Sequence, residues 1–167
     1  HLNEVMQMPE VFEKVKTGED VHLHIPQISK MLLVLRNDVD HRKAIEYTFS
    51  LASASSKIYL MYVVDMEPLP PQVPEDLERK LYQRYREEGN KVLDESTRML
   101  KAAGFDVEVL GVHIGIAAER ILKAEKEVQP DIIVMSARGL STLKKLLLGS
   151  VSDEVAKEAK APVLLVK

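Results

Sequence analysis

Short apolar runs and segments with helical spacing alternate along the chain from about residue 29 onward. The apolar runs are nearly continuous rather than alternating with polar residues, which is typical of parallel strands buried on both faces. They predict five strands, at 31–35, 58–64, 107–112, 131–135 and 162–166.

Helical spacing predicts four helices between these strands. The first has its apolar positions between residues 44 and 52, and Asp40 is its predicted N-cap. The second is long, with apolar positions from Leu77 to Ala103, and Gly104 is its predicted left-handed stop.

The third helix is predicted over 116–128, ended by Pro130, and the fourth begins near Ser150, which is a possible cap. Five strands separated by four helices predict an α/β fold, an open doubly wound five-stranded parallel sheet. Right-handed crossovers place helices on both faces of such a sheet.

Two stretches fall outside this alternation. Residues 66–74 carry four prolines, which neither a helix interior nor a central strand tolerates, and so predict an extended connector. Residues 1–28 are interpreted as an N-terminal extension or linker before a domain at 29–167. Within the extension, a helix is predicted near 11–15 and a strand-like run at 21–25.

Composition excludes several classes of protein. The chain has 167 residues, 46% hydrophobic and 29% charged, as in one globular domain. A formal charge of -3 gives no basic excess for nucleic acid, and the lack of Cys excludes disulfides, thiolate nucleophiles and cysteine metal sites. No apolar run reaches the roughly 18 residues of a membrane helix, so we expect a cytoplasmic protein.

The loop after the fourth predicted strand has the chemistry of a phosphate site. Gly139 permits close backbone approach, and Gly149 does so just before a helix whose first N–H groups favour an anion. The Ser150 hydroxyl either caps this helix or donates to a phosphate oxygen. Arg138 and Lys144-Lys145 add positive charge.

From about residue 30 onward the chain resembles the universal stress proteins, most closely in the stretch DIIVMSARGLSTLKKLLLGSVSDEVAKEAKAPVLLVK. The signature of that family is Gly, two residues, Gly, nine residues, Gly and then Ser or Thr. Here Gly139, Gly149 and Ser150 match it, and Ser136 stands in place of the first glycine. The resemblance implies a Rossmann-like fold of the adenine nucleotide alpha-hydrolase-like type.

The resemblance also implies ATP, or ADP or AMP, as a ligand, with Mg²⁺ accompanying it. The signature loop would hold ribose and phosphates, and Val63 would contact the adenine through its backbone. Arg36 falls where the family has an adenine-contacting Asp, and a guanidinium cannot accept hydrogen bonds. Arg36 would stack on the base instead, or Asp38 would reach in. The implied ligand-binding residues are Arg36, Asp38, Val63, Ser136, Arg138, Gly139, Gly149, Ser150 and Val151.

Other candidate sites are weaker. His22 and His24 share one face of a possible strand, but no third metal ligand accompanies them. Asp38 and Asp40 are interpreted either as a site near phosphate-bound magnesium or as a helix cap and solvated turn. No P-loop motif occurs, and no residue is set up as a general base, so any ATP turnover is expected to be slow.

The last predicted strand is expected at a sheet edge. By resemblance, family members commonly dimerise through this strand, and residues 163–166 carry no charge, so we expect a homodimer through 162–166. The expected function is a regulatory module of the stress response that binds an adenine nucleotide. The alternatives are a dimer that binds a protein partner without nucleotide, and a cytosolic domain of a transporter or tandem protein.

Overall fold

The computed structural model describes residues 16–18, 27–137 and 149–167. Its five strands form one sheet in which every neighbouring pair is parallel. The order across the sheet is β3-β2-β1-β4-β5. The strands are β1 (Lys30–Arg36), β2 (Lys57–Asp65), β3 (Asp106–Gly115), β4 (Ile132–Ser136) and β5 (Val163–Val166). The predicted open five-stranded parallel sheet is therefore confirmed.

Four helices in the described part of the chain connect these strands and cover both faces. They are α1 (Arg42–Leu51), α2 (Glu75–Ala102), α3 (Ala117–Val128) and α4 (Ser150–Glu158). Residues of α1 and α2, such as Ala44 and Leu93, belong to the core on one face of the sheet. Residues of α3 and α4, such as Ile121 and Val155, belong to the core on the other face.

Burial on both faces explains the continuous apolar runs. All five residues from Met31 to Leu35 have no exposed surface, and their side chains divide between the two cores. Alternate residues of a strand point to opposite faces, so a central strand covered by helices on both sides must be apolar throughout. None of the helices described here is long and apolar enough to cross a bilayer.

The strand order places a topological switch point between β1 and β4. From β1 the chain proceeds through β2 to β3 at one edge, whereas from β4 it proceeds to β5 at the other. Loops leaving β1 and β4 therefore diverge, and they leave a crevice at the carboxyl ends of the strands, where open α/β sheets bind ligands.

Helix boundaries differ from the sequence prediction in two places. Gly149, rather than Ser150, is the N-cap of α4, and no side chain caps that end. The N-cap of α1 is His41 rather than Asp40, although an Asp40 carboxylate oxygen accepts the Arg42 N–H at 3.0 Å and so still satisfies the start of the helix. The helix predicted near 11–15 and the run at 21–25, with His22 and His24, lie outside the described residues.

Candidate functional site

Arg36 and Val63 meet at the carboxyl edge of the sheet. They are paired in the β1–β2 register. One residue further, the Asn37 N–H donates to the Val63 carbonyl at 3.3 Å, which extends the ladder beyond the end of β1. The sheet thus brings together the two positions that the resemblance connects with the base of a nucleotide.

The Arg36 side chain is buried although it is charged. Only 6% of the residue is exposed. Its Nη2 donates to Asp38 Oδ2 at 3.0 Å, while its Nε has no acceptor among the residues that the structure describes. A guanidinium can only donate hydrogen bonds, and this one lines a cavity beside the turn that follows β1 while its Nε is buried.

The turn after β1 carries a second Arg–Asp pair. Arg42 donates to both carboxylate oxygens of Asp40, with Nη2 to Oδ2 at 2.7 Å. The side-chain hydrogen bonds from Arg42, followed by the bond from its backbone N–H, hold the pKa of Asp40 well below its usual range. This carboxylate is therefore an anion that is already paired at neutral pH.

Two neighbouring cavities follow the carboxyl edge and share the segment 38–40. The larger, about 580 Å³, lies between the turn, β2 and α2. The smaller, about 350 Å³, continues towards the ends of β4 and β5 and is bounded by Lys43, Ala137 and Val166. The larger cavity is lined by Arg36, Asn37, Asp38, Val39, Asp40, His41, Arg42, Tyr62 and Val92.

Ser136 is the last residue of β4 and directly precedes Ala137, which lines the smaller cavity. The two cavities together are called the groove. It is 1% exposed, and its Oγ has no hydrogen-bond partner in the described part of the chain. Ser136 belongs to the extended strand, and among the described non-glycine residues only Gln129 has a positive φ. A serine is therefore unstrained at this position. The strand is held in place beyond Ser136 by the Ala137 N–H, which donates to the Val166 carbonyl at 2.8 Å.

The N-terminus of α4 carries no side-chain cap from the residues that the structure describes. Gly149 has φ of −56°, so its backbone conformation does not require glycine, and a Cβ atom there would meet no atom of the described residues within 4 Å. Ser150 is exposed, whereas Val151 is only 6% exposed and packs in the core, so Val151 offers its backbone N–H alone. In the first turn, Asp153 is paired with Lys157 at 2.7 Å.

The structure does not place every predicted residue. Arg138, Gly139, Lys144 and Lys145 lie outside the described residues. Within residues 16–18, 27–137 and 149–167, no three His, Asp or Glu side chains form a group that could hold a metal ion. Asp38 and Asp40 are paired with Arg36 and Arg42 respectively, which disfavours a protein-held Mg²⁺ at this turn.

Sequence reasoning missed Asn37 as a contributor to this site. Asn37 lines the larger cavity, and its backbone bonds to Val63. Its position in the sequence could have identified it, because the residue directly after a central parallel strand lies at the carboxyl edge of the sheet. Its amide side chain offers both a donor and an acceptor there.

The comparisons with known proteins agree on one family. A sequence model described as the universal stress protein family matches residues 27–167. Universal stress protein MJ0577 of Methanocaldococcus jannaschii is 37% identical over 93 residues, which cover 56% of this chain and 57% of that protein. A universal stress protein of Thermus aquaticus is 32% identical over 138 residues, covering 83% of this chain and 98% of that protein.

Solved structures show the same fold. The structure of MJ0577 superposes with a TM-score of 0.68 at 27% identity, covering 84% of this chain and 96% of that one. A universal stress protein in complex with cAMP superposes with a TM-score of 0.55 at 26% identity, covering 82% of this chain and 97% of that one. With a family match over residues 27–167 and solved relatives of the same fold, this chain belongs to the universal stress protein family.

Proposed function

We propose that this chain is a cytoplasmic regulatory module that binds a purine nucleotide at the switch point between β1 and β4. The observation that carries the proposal is the N-terminus of α4, which has no side-chain cap and where a Cβ atom on Gly149 would meet no described atom within 4 Å. At the end of β4, the buried hydroxyl of Ser136 has no partner among the described residues either. Helix N-termini favour phosphate because their first N–H groups lack acceptors and the helix dipole is positive there. A similar universal stress protein is known in complex with cAMP, which supports a purine nucleotide as the ligand here.

Each end of the nucleotide has a place on this edge. The phosphate would lie against the N–H groups of Ser150 and Val151, in the space in front of Gly149. The sugar would cross the end of β4 at Ser136, and the base would lie at the ends of β1 and β2, where Arg36 and Val63 are paired in the sheet register. Arg138 and Gly139 would complete the phosphate site if the family signature is used here as the sequence implies.

Regulation fits the chemistry better than catalysis. The two carboxylates nearest the groove, Asp38 and Asp40, are both paired with arginines. A carboxylate whose lone pairs already accept hydrogen bonds from an arginine is a weak general base, and Arg42 also lowers the pKa of Asp40. We therefore propose that nucleotide binding signals to a partner, and that any hydrolysis of ATP is slow.

We propose a homodimer that forms through β5. This strand lies at an edge of the sheet, and its four residues are apolar. The other edge strand, β3, has a register shift opposite Leu60 and Met61 and a left-handed Gly111, which blunt an edge against pairing. The competing proposal, a dimer that binds a protein partner without nucleotide, is favoured by the buried Arg36 beside the base position.

A titration of the purified chain with AMP and ATP, followed by calorimetry, separates these two proposals. Nucleotide extracted from the denatured protein is identified by mass spectrometry in parallel. Gly149→Val is the decisive variant: its side chain would fill the space in front of the helix, while φ of −56° suits valine, so affinity should fall with little loss of stability. Absence of heat and of any thermal shift at millimolar nucleotide would refute nucleotide binding.

A further inference from the structure

We propose that Arg36 makes this site select purines with a 6-oxo group, guanine or hypoxanthine, over adenine. The inference rests on the proposed function, because it concerns the base of the nucleotide that would bind at the carboxyl edge. It goes further by naming the class of base and the side chain that recognises it.

The position of the base follows from the position of the phosphate. The N-terminus of α4 follows β4, on one side of the switch point, whereas β1 and β2 lie on the other side. A nucleotide with its phosphate at Gly149 and its sugar over the end of β4 therefore presents its base to the ends of β1 and β2. Arg36 is in register with Val63 there, and Arg36 lines the larger cavity.

Arg36 offers hydrogen-bond donors alone. Its Nε lacks an acceptor among the described residues although the side chain is nine-tenths buried. Asp38, which accepts from Nη2 at 3.0 Å, fixes the guanidinium at the edge of the groove. Because Arg36 lines the larger cavity and can only donate, a ligand that presents acceptors there suits it, whereas a ligand that presents another donor opposes it.

The two kinds of purine differ in this respect. Guanine and hypoxanthine carry two neighbouring acceptors, O6 and N7, that match the fork of an arginine side chain. Adenine keeps N7 but carries an amino group at C6, which is a donor and opposes the N–H groups of Arg36. The guanidinium therefore favours a 6-oxo base for two reasons. It can donate to both O6 and N7, and it does not face the amino group that adenine carries at C6.

The test is a calorimetric titration of the whole chain with GMP, IMP and AMP. GMP and IMP should bind about tenfold or more tightly than AMP, which is the discrimination expected from one bidentate arginine contact. GMP and IMP should differ little from one another, because they share O6 and N7. Ribose 5-phosphate, which lacks a base, reports the affinity of the phosphate and sugar alone.

Two variants assign the selectivity to Arg36. Arg36→Lys keeps a charged side chain that only donates but loses the planar pair of N–H groups, so the preference for GMP over AMP should fall without disappearing. Arg36→Met removes all the donors and should abolish the preference, while ribose 5-phosphate binds as before. Circular dichroism melting of each variant establishes that it is folded under the conditions of the titration.

The outcomes distinguish this inference from the proposed function. If AMP binds as tightly as GMP or more tightly, and Gly149→Val abolishes that binding, the selectivity is refuted and the nucleotide site stands. If the preference for GMP survives in folded Arg36→Met, Arg36 is not its source and the inference is overturned. If no nucleotide binds at millimolar concentration, the proposed function fails and the inference fails with it.

Discussion

Gly89 of α2 packs against Tyr62 of β2 so closely that a Cβ atom at position 89 would lie 2.7 Å from the Tyr62 Cδ1. The same Cβ would lie 2.6 Å from Cγ2 of Val112. Gly89 is buried, as are three later residues of the same helix, so the long helix comes close to the sheet here. Since Tyr62 also lines the larger cavity, this contact sets one wall of the candidate site.

Substitution of Gly89 by Ala should destabilise the fold. Alanine is a better helix former than glycine by about 1 kcal/mol. The overlap with Tyr62 and Val112 should outweigh that gain and leave a net loss of about 1–2 kcal/mol. Urea unfolding measures the change, and the exposed neighbour Asn90→Ala serves as the control with a change near zero or a small gain. Stabilisation by Gly89→Ala would contradict the close packing.

Glu125 of α3 should be important for stability although it is charged. It is 7% exposed, and its Oε1 accepts the N–H groups of Lys160 at 2.7 Å and Ala161 at 2.8 Å. Glu125→Ala should cost about 2–4 kcal/mol, because two donors lose their acceptor. Glu125→Gln keeps an oxygen acceptor and should cost clearly less. Equal losses in the two variants, measured by thermal unfolding, would argue against these bonds.

Asp40 should make a small contribution to stability that depends on pH. Its pKa in the folded chain is lowered below the ordinary value of 3.8 by Arg42. The ion pair therefore stabilises the fold fully above about pH 4, and this contribution is lost as pH falls through the folded pKa. Asp40→Asn should lower Tm slightly at pH 7 and have less effect at pH 3. Because the pair is exposed, high salt should also reduce the difference.

A charge on β5 should break the proposed dimer. Leu165→Glu places a carboxylate on the apolar edge strand and should yield monomers in sedimentation velocity. Val109→Glu on β3, where the side chain is 46% exposed, is the matched control and should leave the dimer intact. Monomers in the control, or a dimer that persists in folded Leu165→Glu, would place the interface elsewhere.

Fold class was predictable because the apolar pattern reports burial directly. Five uninterrupted runs gave the five strands, and Gly104, which has φ of +92°, ends the long helix as predicted. The carboxyl end of β3 was not predictable. β3 extends to Gly115 rather than ending near Val112. The register with β2 shifts before Gly111, which has a positive φ, and the pairing then continues as far as Gly115. Gly89 gave no signal either, since a close helix–sheet contact depends on the packed partner.

The sequence could predict which residues lie at the carboxyl ends of the strands, but it could not predict which side chains are paired there. Arg36, Val63, Ser136 and Gly149 were placed at the carboxyl edge from the pattern of strands and the family signature. The pairing of Arg36 with Asp38 depends on the turn between them, which the sequence does not specify. The same holds for α4, where Gly149 rather than Ser150 is the N-cap.

The most direct test of the nucleotide site is a ¹H–¹⁵N correlation spectrum of the labelled chain recorded with increasing GMP and AMP. The account predicts that the amide signals of Gly149, Ser150, Asn37 and Val63, at the carboxyl edge, shift and saturate together. Signals of Asp131 and Lys160, which line a cavity apart from this edge, should stay unchanged. Shifts concentrated around Lys160, or no shifts at millimolar nucleotide, would contradict it.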